Sequence, residues 1–407
     1  NSFGGQIVPP DDKKISKSVK KLNFNQIVWD NDNSKIKIID NKFDQIYFQK
    51  IISNSVIKKN NRQNLKIVYS SLHGTGIKSI PPLLREAGYK DINLVESQCF
   101  VDENFSNTNS SNPEDVNAFE QSIILAEKTN AELIITTDPD ADRLGVAVRD
   151  FNSNWVLLNG NQLMVLLFSF LIEKKEFKSE DFFVATTLVS SPLFEKMAKK
   201  NHIKCRLSHT GFKWIADIIE KEKDRNFLCG GEESFGFLYG NEVRDKDAAS
   251  TSLLFCDMFS FLKSKGETVI SHMINIYKDY GFHYDKLHTI TKKGVKGDAE
   301  LKEQIEFLRL NPPKKIANIN ISKIDDYKTG FSSYKDGKKE KLDLPKTNLI
   351  IYYLEDNSRI SVRPSGTEPK IKFYVNLYSK FNDSFDINDE SIKLEKRVTQ
   401  IIKHFNR

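Results

Sequence analysis

Three aspartates at alternate positions give the strongest chemical signal in the sequence. Asp138, Asp140 and Asp142 stand in the segment Thr-Asp-Pro-Asp-Ala-Asp-Arg, directly after an apolar run that indicates a buried strand. Carboxylates that converge in such a loop can bind one hard cation such as Mg²⁺. An EF-hand is excluded, because the positions where it requires glycine and glutamate hold Arg143 and Arg149. A solvated acidic turn and a phosphatase loop with an aspartate nucleophile stay open as alternatives.

Two further segments have residue types that suit phosphates and sugars. The first segment is 363–370, with the sequence Arg-Pro-Ser-Gly-Thr-Glu-Pro-Lys. It has two cations (Arg363 and Lys370), two hydroxyl groups (Ser365 and Thr367) and a glycine (Gly366) that lets backbone N–H groups turn inward, which together suit a phosphate. Residues 230–236, Gly-Gly-Glu-Glu-Ser-Phe-Gly, offer a carboxylate and a hydroxyl that could bind sugar hydroxyl groups, namely Glu232 and Ser234. Each segment could also be a plain turn between strands.

Three shorter segments could add polar groups to the same site. Residues 244–247, Arg-Asp-Lys-Asp, place Lys246 between two aspartates, where it could be an ion-paired proton donor or part of a solvated charge run. Residues 209–213, His-Thr-Gly-Phe-Lys, and residues 73–76, His-Gly-Thr-Gly, lie at strand ends, where α/β folds place ligands. A structural role for the two histidines is the alternative.

The elements that must position these segments alternate along the chain. Strand-like apolar runs and helix-length amphipathic stretches follow one another, which is the pattern of βαβ units around mixed or parallel sheets. We predict an α/β fold in which consecutive α/β domains with mixed sheets precede a smaller C-terminal α+β domain. One helix is predicted over 113–128. The predicted domain boundaries are 1–48, 49–156, 157–281 and 282–407.

Composition and charge narrow the class of protein. The chain has 407 residues, 39% of them hydrophobic, and a net charge of +6 from intermixed basic and acidic residues. The chain has no long basic block, so its charge gives little support for nucleic-acid binding, and small anionic substrates fit it equally well. The longest apolar run, 163–172, is half the roughly 20 residues that cross a bilayer, so a buried helix is predicted there. Four scattered cysteines, without paired or metal-like spacing, favour a reducing compartment, and we expect the cytoplasm.

Taken together and in this order, the segments resemble the α-D-phosphohexomutase superfamily. Residues 138–143 resemble its metal loop, 231–236 its sugar-binding loop and 363–370 its phosphate-binding loop. The opening residues 5–10, Gly-Gln-Ile-Val-Pro-Pro, resemble the passage after the family's catalytic serine loop. The Glu-Glu-Ser-Phe-Gly form of the sugar loop is similar to that of phosphoglucomutases, not to the Gly-His ending of mannose and glucosamine enzymes. The branch of bacterial α-phosphoglucomutases and phosphopentomutases is indicated by three further segments, 104–114, 210–213 and 244–247.

The resemblance implies a phosphoryl-transfer mechanism. A phosphoserine gives its phosphoryl group to hexose 1-phosphate, the resulting glucose 1,6-bisphosphate turns over in the cleft, and the other phosphate returns to the serine. The four predicted domains would be a remnant of the serine-loop domain, the metal-binding domain, the sugar-binding domain and the phosphate-binding domain. A hexose or pentose phosphate is the expected partner.

The resemblance also implies a role for each candidate residue. The three aspartates would hold Mg²⁺ beside the fixed charge of Arg143. Lys246 would be the general acid and base, with Lys213 as the second candidate. The sugar hydroxyls would be bound by Thr210, Glu232 and Ser234. The phosphate that does not react would be bound by Arg363, Ser365, Gly366, Thr367 and Lys370.

One departure from the family pattern concerns the serine itself. The family's Thr-Ala-Ser-His-Asn-Pro loop does not occur in the sequence, and residues 108–113, Thr-Asn-Ser-Ser-Asn-Pro, stand where the second domain has a similar phrase. We therefore expect an upstream segment to be missing, and the chain alone to bind metal and sugar phosphate without turnover. Phosphopentomutase, phosphomannomutase and a non-catalytic binding fragment stay open. No nucleic-acid or membrane partner is expected, and the chain should be a monomer or weak dimer.

Overall fold

The computed structural model describes residues 1–29, 33–174, 179–365, 369–382 and 384–405. The chain divides into two compact units, residues 1–187 with 198–273 and residues 188–197 with 274–407. No helix in the described ranges has both the length and the apolar character needed to cross a bilayer.

The first unit contains a five-stranded mixed sheet. Its strands are β1 (Ile67–Ser70), β2 (Ile92–Leu94), β3 (Leu133–Thr137), β4 (Leu144–Arg149) and β5 (Trp155–Leu158). They lie in the order β2-β1-β3-β4-β5, with the first three parallel and the last two antiparallel. Every residue of β1 and β3 is buried, as expected for central strands covered on both faces. The same stretch of chain forms the helices α1 (Asp11–Val19), α2 (Asn41–Ser53), α3 (Ile80–Ala87) and α4 (Glu120–Thr129).

The helix predicted over 113–128 starts later in the structure. Residues Val116–Phe119 form a 3₁₀ turn, and α4 follows only from Glu120. The reason is a local cap, because the Asp115 side chain accepts the backbone N–H of Asn117 at 3.0 Å. Spacing of apolar residues does not reveal such a cap, so the predicted start was wrong.

A four-stranded mixed sheet also belongs to the first unit. Its strands are β6 (Phe182–Thr187), β7 (Lys204–Ser208), β8 (Asn226–Gly231) and β9 (Phe237–Tyr239), in the order β7-β6-β8-β9. The helices along this stretch of chain are α5 (Gly160–Lys174), α6 (Pro192–Lys200), α7 (Phe212–Lys221), α8 (Ala248–Ser264) and α9 (Val269–Tyr280). Most of α6 and of α9 belongs to the second unit. Most of α5 is buried, which confirms the prediction that the apolar run 163–172 forms a buried helix.

The second unit contains an eight-stranded antiparallel sheet. Its strands are β10 (Phe282–Thr291), β11 (Lys315–Ile316), β12 (Ile319–Asp326), β13 (Phe331–Tyr334), β14 (Lys339–Lys341), β15 (Ile350–Leu354), β16 (Arg359–Pro364) and β17 (Lys370–Ser379). The order is β10-β17-β16-β15-β12-β13-β14, with β11 paired to β12. Two helices, α10 (Gly294–Leu310) and α11 (Ile387–Phe405), belong to the same stretch of chain. The predicted class, consecutive α/β domains with mixed sheets followed by an α+β domain, is confirmed.

A buried ion pair on α8 stabilises the first unit. Asp257 is fully buried, and its carboxylate accepts from Arg62 Nε at 2.7 Å and from the Tyr89 hydroxyl at 2.7 Å. The Ser55 hydroxyl donates to the same carboxylate. Because desolvation of a buried carboxylate costs several kcal/mol, its burial depends on these donors.

Asp257→Ala is expected to lower the free energy of unfolding by about 3–5 kcal/mol, because it leaves the buried guanidinium of Arg62 without its charge partner. Lys221 and Asp217 form a surface pair in the same unit, so Asp217→Ala is the matched control. It should cost no more than about 1 kcal/mol. Urea unfolding followed by circular dichroism measures both, and equal losses would contradict this assignment.

Candidate active site

The acidic loop, residues 138–143, joins β3 to β4 in the first unit. Asp138 fixes its turn, because Oδ1 accepts the backbone N–H groups of Asp142 at 3.1 Å and Arg143 at 2.9 Å. Ala141 adopts a left-handed conformation, with φ of 57°. Each of the three aspartates offers a carboxylate oxygen within 4.8 Å of the others. The structure thus brings together the three carboxylates that the sequence singled out.

The loop at 73–76 packs against the acidic loop. A Cβ added at Gly74 would lie 2.3 Å from the Cα of Pro139, so this position requires glycine. The backbone N–H of Thr75 donates to the Pro139 carbonyl at 2.8 Å. His73 is buried and hydrogen-bonded to backbone groups. This segment thus supports the acidic loop from its neighbouring strand, as a structural role for His73 would require, and a role in ligand binding stays a prediction.

The glutamate loop, residues 231–236, joins β8 to β9 and pairs with the acidic loop through its backbone. Arg143 and Gly236 form an antiparallel bridge. The N–H of Leu144 donates to the carbonyl of Phe235 at 3.1 Å. Two loops that follow strands of different sheets are therefore held edge to edge.

Glu232 is the buried side chain of the glutamate loop. Its Oε1 accepts the backbone N–H of Gly211 at 2.7 Å, which places the neighbouring Thr210 beside this loop. Thr210 and Ser234 are both half-buried. Burial raises the pKa of Glu232 to about 7, and the charge of Glu233 acts in the same direction, while the Gly211 N–H opposes the shift.

The raised pKa of Glu232 makes stability depend on pH. The folded protein holds this proton more tightly than the unfolded chain, so the stabilisation is full below about pH 4.5 and is lost as pH rises to about 7. Glu232→Gln carries no charge. It should leave the free energy of unfolding unchanged near pH 4.5 and raise it on the order of 1–3 kcal/mol near pH 8.

Urea unfolding of wild type and Glu232→Gln at the two pH values measures this difference. Glu103 is exposed, so Glu103→Gln serves as the matched control and should show no pH-dependent difference from wild type. A Glu232→Gln effect of the same size at both pH values would contradict the assignment.

Lys246 lies where the two loops meet. Its Nζ is 2.7 Å from Asp142 Oδ2 and 3.3 Å from Asp245 Oδ1, and the side chain is 12% exposed. A Cβ at Gly236 would lie 2.2 Å from Lys246 Cδ, so this glycine leaves room for the lysine stem. Burial alone would lower the pKa of Lys246, but the hydrogen bond and charge of Asp142, with Asp245 and Glu232, raise it above its ordinary value. The ammonium form is therefore the resting form at neutral pH.

The other two candidate cations have different surroundings. Arg143 Nε lies 3.5 Å from Asp138 Oδ2, and its Nη1 lies 3.2 Å from Glu114. Lys213 pairs with Asp12 at 3.5 Å, and no ion pair within the described ranges joins it to the acidic loop. The contact of Arg143 with Glu114 was not predicted, since no sequence spacing links the two residues.

The acidic loop fits a hard divalent cation. Oδ1 of Asp142 is buried and accepts no hydrogen bond in the described part of the chain, although Arg143 Nε lies 3.7 Å away, so it can still accept from a ligand. Burial raises the pKa of Asp138 to about 7, and the neighbouring charges of Asp142 and Asp140 add to the shift, although the Arg143 N–H opposes it. A cation bound by carboxylate oxygens would supply the partner and offset the repulsion.

The basic segment 363–370 belongs to the second unit. Arg363 lies near the end of β16, and the backbone N–H of Ser365 donates at 2.8 Å to the carbonyl of Lys370, the first residue of β17. Two predicted positions of the segment lie outside the described residues, Gly366 and Thr367.

Comparison with known proteins identifies the family. Residues 45–152 match "Phosphoglucomutase/phosphomannomutase, alpha/beta/alpha domain II", and residues 159–280 match domain III of the same family. Phosphoglucomutase from Staphylococcus aureus (strain MRSA252) is 40% identical over 319 residues, which are 78% of this chain and 57% of that protein. The chain therefore spans little more than half the length of this relative.

Solved structures agree with the fold. A Thermus thermophilus protein assigned as a phosphomannomutase superposes with a TM-score of 0.68 at 17% identity, covering 99% of this chain and 74% of that one. Aspergillus fumigatus N-acetylphosphoglucosamine mutase, in complex with GlcNAc-6P and magnesium, gives a TM-score of 0.52 at 15% identity, covering 88% and 70%. With two matched domains and a 40% identical relative, the chain belongs to the α-D-phosphohexomutase superfamily, as its motifs predicted.

Proposed function

We propose that this chain carries the metal, sugar and phosphate sites of a phosphoglucomutase, which interconverts glucose 1-phosphate and glucose 6-phosphate through a phosphoserine and glucose 1,6-bisphosphate. The Staphylococcus aureus relatives bear that name, and the form of the glutamate loop resembles that of phosphoglucomutases. Because the chain spans 57% of their length, the activity of the whole protein is part of the proposal. Turnover is proposed for a chain with a serine loop ahead of Asn1.

The contact between Lys246 and the acidic loop carries the proposal. Phosphoryl transfer requires a metal-binding carboxylate, an acid and base, and a group that orients the sugar, all within the length of one substrate. Lys246 Nζ lies 2.7 Å from Asp142. The aliphatic chain of Lys246 passes Gly236 of the glutamate loop, so the residues proposed for the three roles are neighbours in the first unit.

Asp138, Asp140 and Asp142 would hold Mg²⁺, whose charge would offset that of the transferring phosphoryl group. The Aspergillus fumigatus neighbour was solved with magnesium and GlcNAc-6P, which supports a metal and a sugar phosphate as ligands of this fold. Arg143 would add a fixed positive charge on the same loop, 3.5 Å from Asp138.

Lys246 would act as the general acid and base. It would begin as an ammonium, protonate the serine oxygen that leaves in the first transfer, and take that proton back when the serine hydroxyl attacks in the return step; the proton of the attacking sugar hydroxyl would pass to solvent in the first transfer, and solvent would return one to the leaving sugar oxygen in the second. Lys213 is the second candidate for this role. Glu232, Ser234 and Thr210 would hydrogen-bond the sugar hydroxyls and so fix the ring. The distal phosphate would be bound by Arg363, Ser365, Gly366, Thr367 and Lys370.

The proposal includes the domain organisation predicted from the sequence. Residues 1–48 would be a remnant of the serine-loop domain, 49–156 the metal-binding domain, 157–281 the sugar-binding domain and 282–407 the phosphate-binding domain. We also place the protein in the cytoplasm, because its four cysteines, all within the described ranges, form no disulfide. A monomer or weak dimer is the proposed state.

A fusion that places a phosphohexomutase serine domain ahead of Asn1, the serine fusion, tests this function. A coupled assay should show glucose 6-phosphate formation from glucose 1-phosphate, with stimulation by glucose 1,6-bisphosphate. Faster turnover of ribose 1-phosphate or mannose 1-phosphate would assign the phosphopentomutase or phosphomannomutase activity instead. Phosphate release without any bisphosphate requirement would favour a phosphatase. A folded fusion that converts none of the three sugars would overturn the proposal.

A further inference from the structure

A cavity of about 570 Å³ lies within the second unit, between the start of α6 and the eight-stranded sheet. Its described lining contains no acidic residue and none of the residues of the proposed mutase site. The volume lies in the range of small-molecule sites, which is roughly 300–1,000 Å³. The lining side chains that matter most are Lys196, His283, Lys323, Tyr353 and Tyr378.

The cavity lies at the opposite end of the sheet from the basic segment 363–370. His283 is paired in register with Tyr378, and Lys323 with Tyr353, so these four side chains share one end of the strands. Strand β16 runs from this end to the basic segment. At about 3.3 Å per residue, the six steps from Ser358 to Pro364 separate the two by roughly 20 Å. The cavity is therefore a separate site from the basic segment 363–370.

Two lysines give the cavity its positive charge. Lys196 Nζ donates to one backbone carbonyl at 2.6 Å and lies 4.7 Å from the centre of the Tyr378 ring. No carboxylate in the described ranges pairs with it. Lys323 Nζ lies 3.0 Å from Asp325 and 4.0 Å from the centre of the Tyr353 ring. An ammonium has three N–H donors, so both lysines keep donors for an anion.

A neutral histidine stands beside these cations. His283 is 7% exposed, and its Nε2 is buried without a hydrogen-bond partner in the part of the chain that the structure describes. Burial lowers the pKa of His283 to about 3, with the charges of Lys196 and Arg359 acting in the same direction. A neutral imidazole suits a hydroxyl group as its partner, and so do three other polar residues of the lining, Ser322, Asn357 and Ser358.

We propose that this cavity binds a small phosphorylated sugar or polyol, with its phosphate on Lys196 and Lys323 and its hydroxyls on the neutral polar groups. Charge favours the phosphate, because Lys196 pairs with no carboxylate in the described ranges, and Lys323 keeps free donors beside its one partner, Asp325, which is not in the described lining. The hydroxyl, amide and imidazole groups favour a polyhydroxy body over an apolar one. The site stands on these contacts alone and does not depend on the proposed mutase activity.

The ring NMR signal of His283 in the full chain is the direct readout, with glucose 6-phosphate as the probe and EDTA present to remove divalent cations. His283→Gln assigns the signal. Glucose 6-phosphate should shift it with a saturating curve at millimolar or lower concentration, inorganic phosphate should shift it more weakly, and glucose should not shift it. Because this readout needs no variant in the titrated protein, it does not depend on the folding of any mutant.

The double variant Lys196→Gln, Lys323→Gln should weaken the shift by at least about tenfold. Lys370→Gln, in the basic segment, is the matched control and should leave the His283 curve unchanged. Thermal unfolding confirms that each variant is folded. An unshifted His283 signal at saturating probe, or equal affinity in the double variant, would overturn the proposed site.

Discussion

Asp140→Asn is expected to weaken Mg²⁺ binding by at least about 100-fold and to lower turnover of the serine fusion by a similar factor. Loss of a residue that only orients a metal ligand already costs about 10–100-fold, so loss of a ligand itself should cost at least as much. Asp140 is the sharpest choice of the three. Asp138 fixes the turn of the loop and Asp142 pairs with Lys246, whereas Asp140 is exposed and should be replaceable without loss of structure.

Isothermal titration with Mg²⁺ measures the affinity of the chain, and the coupled assay measures turnover of the fusion. Asp224 is an exposed carboxylate of the same unit, so Asp224→Asn is the matched control and should behave as wild type. Undiminished Mg²⁺ affinity in Asp140→Asn would show that the acidic loop is not the metal site.

Lys246→Met is expected to lower kcat of the serine fusion by about 10²–10⁴, which is the usual contribution of a positioned general acid or base. The KM for glucose 1-phosphate should change little, because the proposed sugar contacts belong to other residues. Mg²⁺ binding should be kept or become tighter, since the variant removes an ammonium 2.7 Å from Asp142. A merely structural lysine would not produce this separation of kcat from metal affinity.

Lys213→Met is the matched comparison, because Lys213 is the second candidate for the same role. Lys213 pairs with Asp12 on α1 and should contribute only a few-fold in kcat. Steady-state kinetics of the two fusions at several pH values decides between them. A large loss in Lys213→Met with a small one in Lys246→Met would reverse the assignment.

The acidic loop could be predicted from the sequence because its signal is local. A buried strand that ends in carboxylates at alternate positions places them in one turn, and the convergence of their oxygens follows from that turn alone. The glutamate loop could be predicted as a turn for the same reason. The convergence of the three carboxylates is confirmed because a few neighbouring residues decide it, whereas the roles of these loops stay predictions.

The meeting of the two loops could not be predicted, since it depends on backbone pairing between segments that are far apart in sequence. The bridge of Arg143 with Gly236 brings Lys246 against Asp142, and no spacing encodes it. The loop at 73–76 was one candidate ligand loop because it follows a strand, with a structural role for His73 as the alternative. Its close packing on Pro139 shows a supporting role that only the fold reveals.

Features of the second unit also could not be predicted from local sequence patterns. Strand β14 is exposed at all three positions, so it has no apolar pattern that would indicate a strand. The cavity beside Lys196 and His283 arises from the register of neighbouring strands and the start of α6. Neither residue belongs to a motif, and their proximity follows from topology alone.

Phosphorus NMR relaxation of glucose 1,6-bisphosphate, with Mn²⁺ in place of Mg²⁺, tests the central claim most directly: the acidic loop holds the metal beside the phosphate that is transferred. We predict strong paramagnetic broadening of a phosphate signal in the wild-type chain, and its loss in Asp140→Asn. Phosphate relaxation that stays at the metal-free value while Mn²⁺ and sugar phosphate are both bound would contradict it.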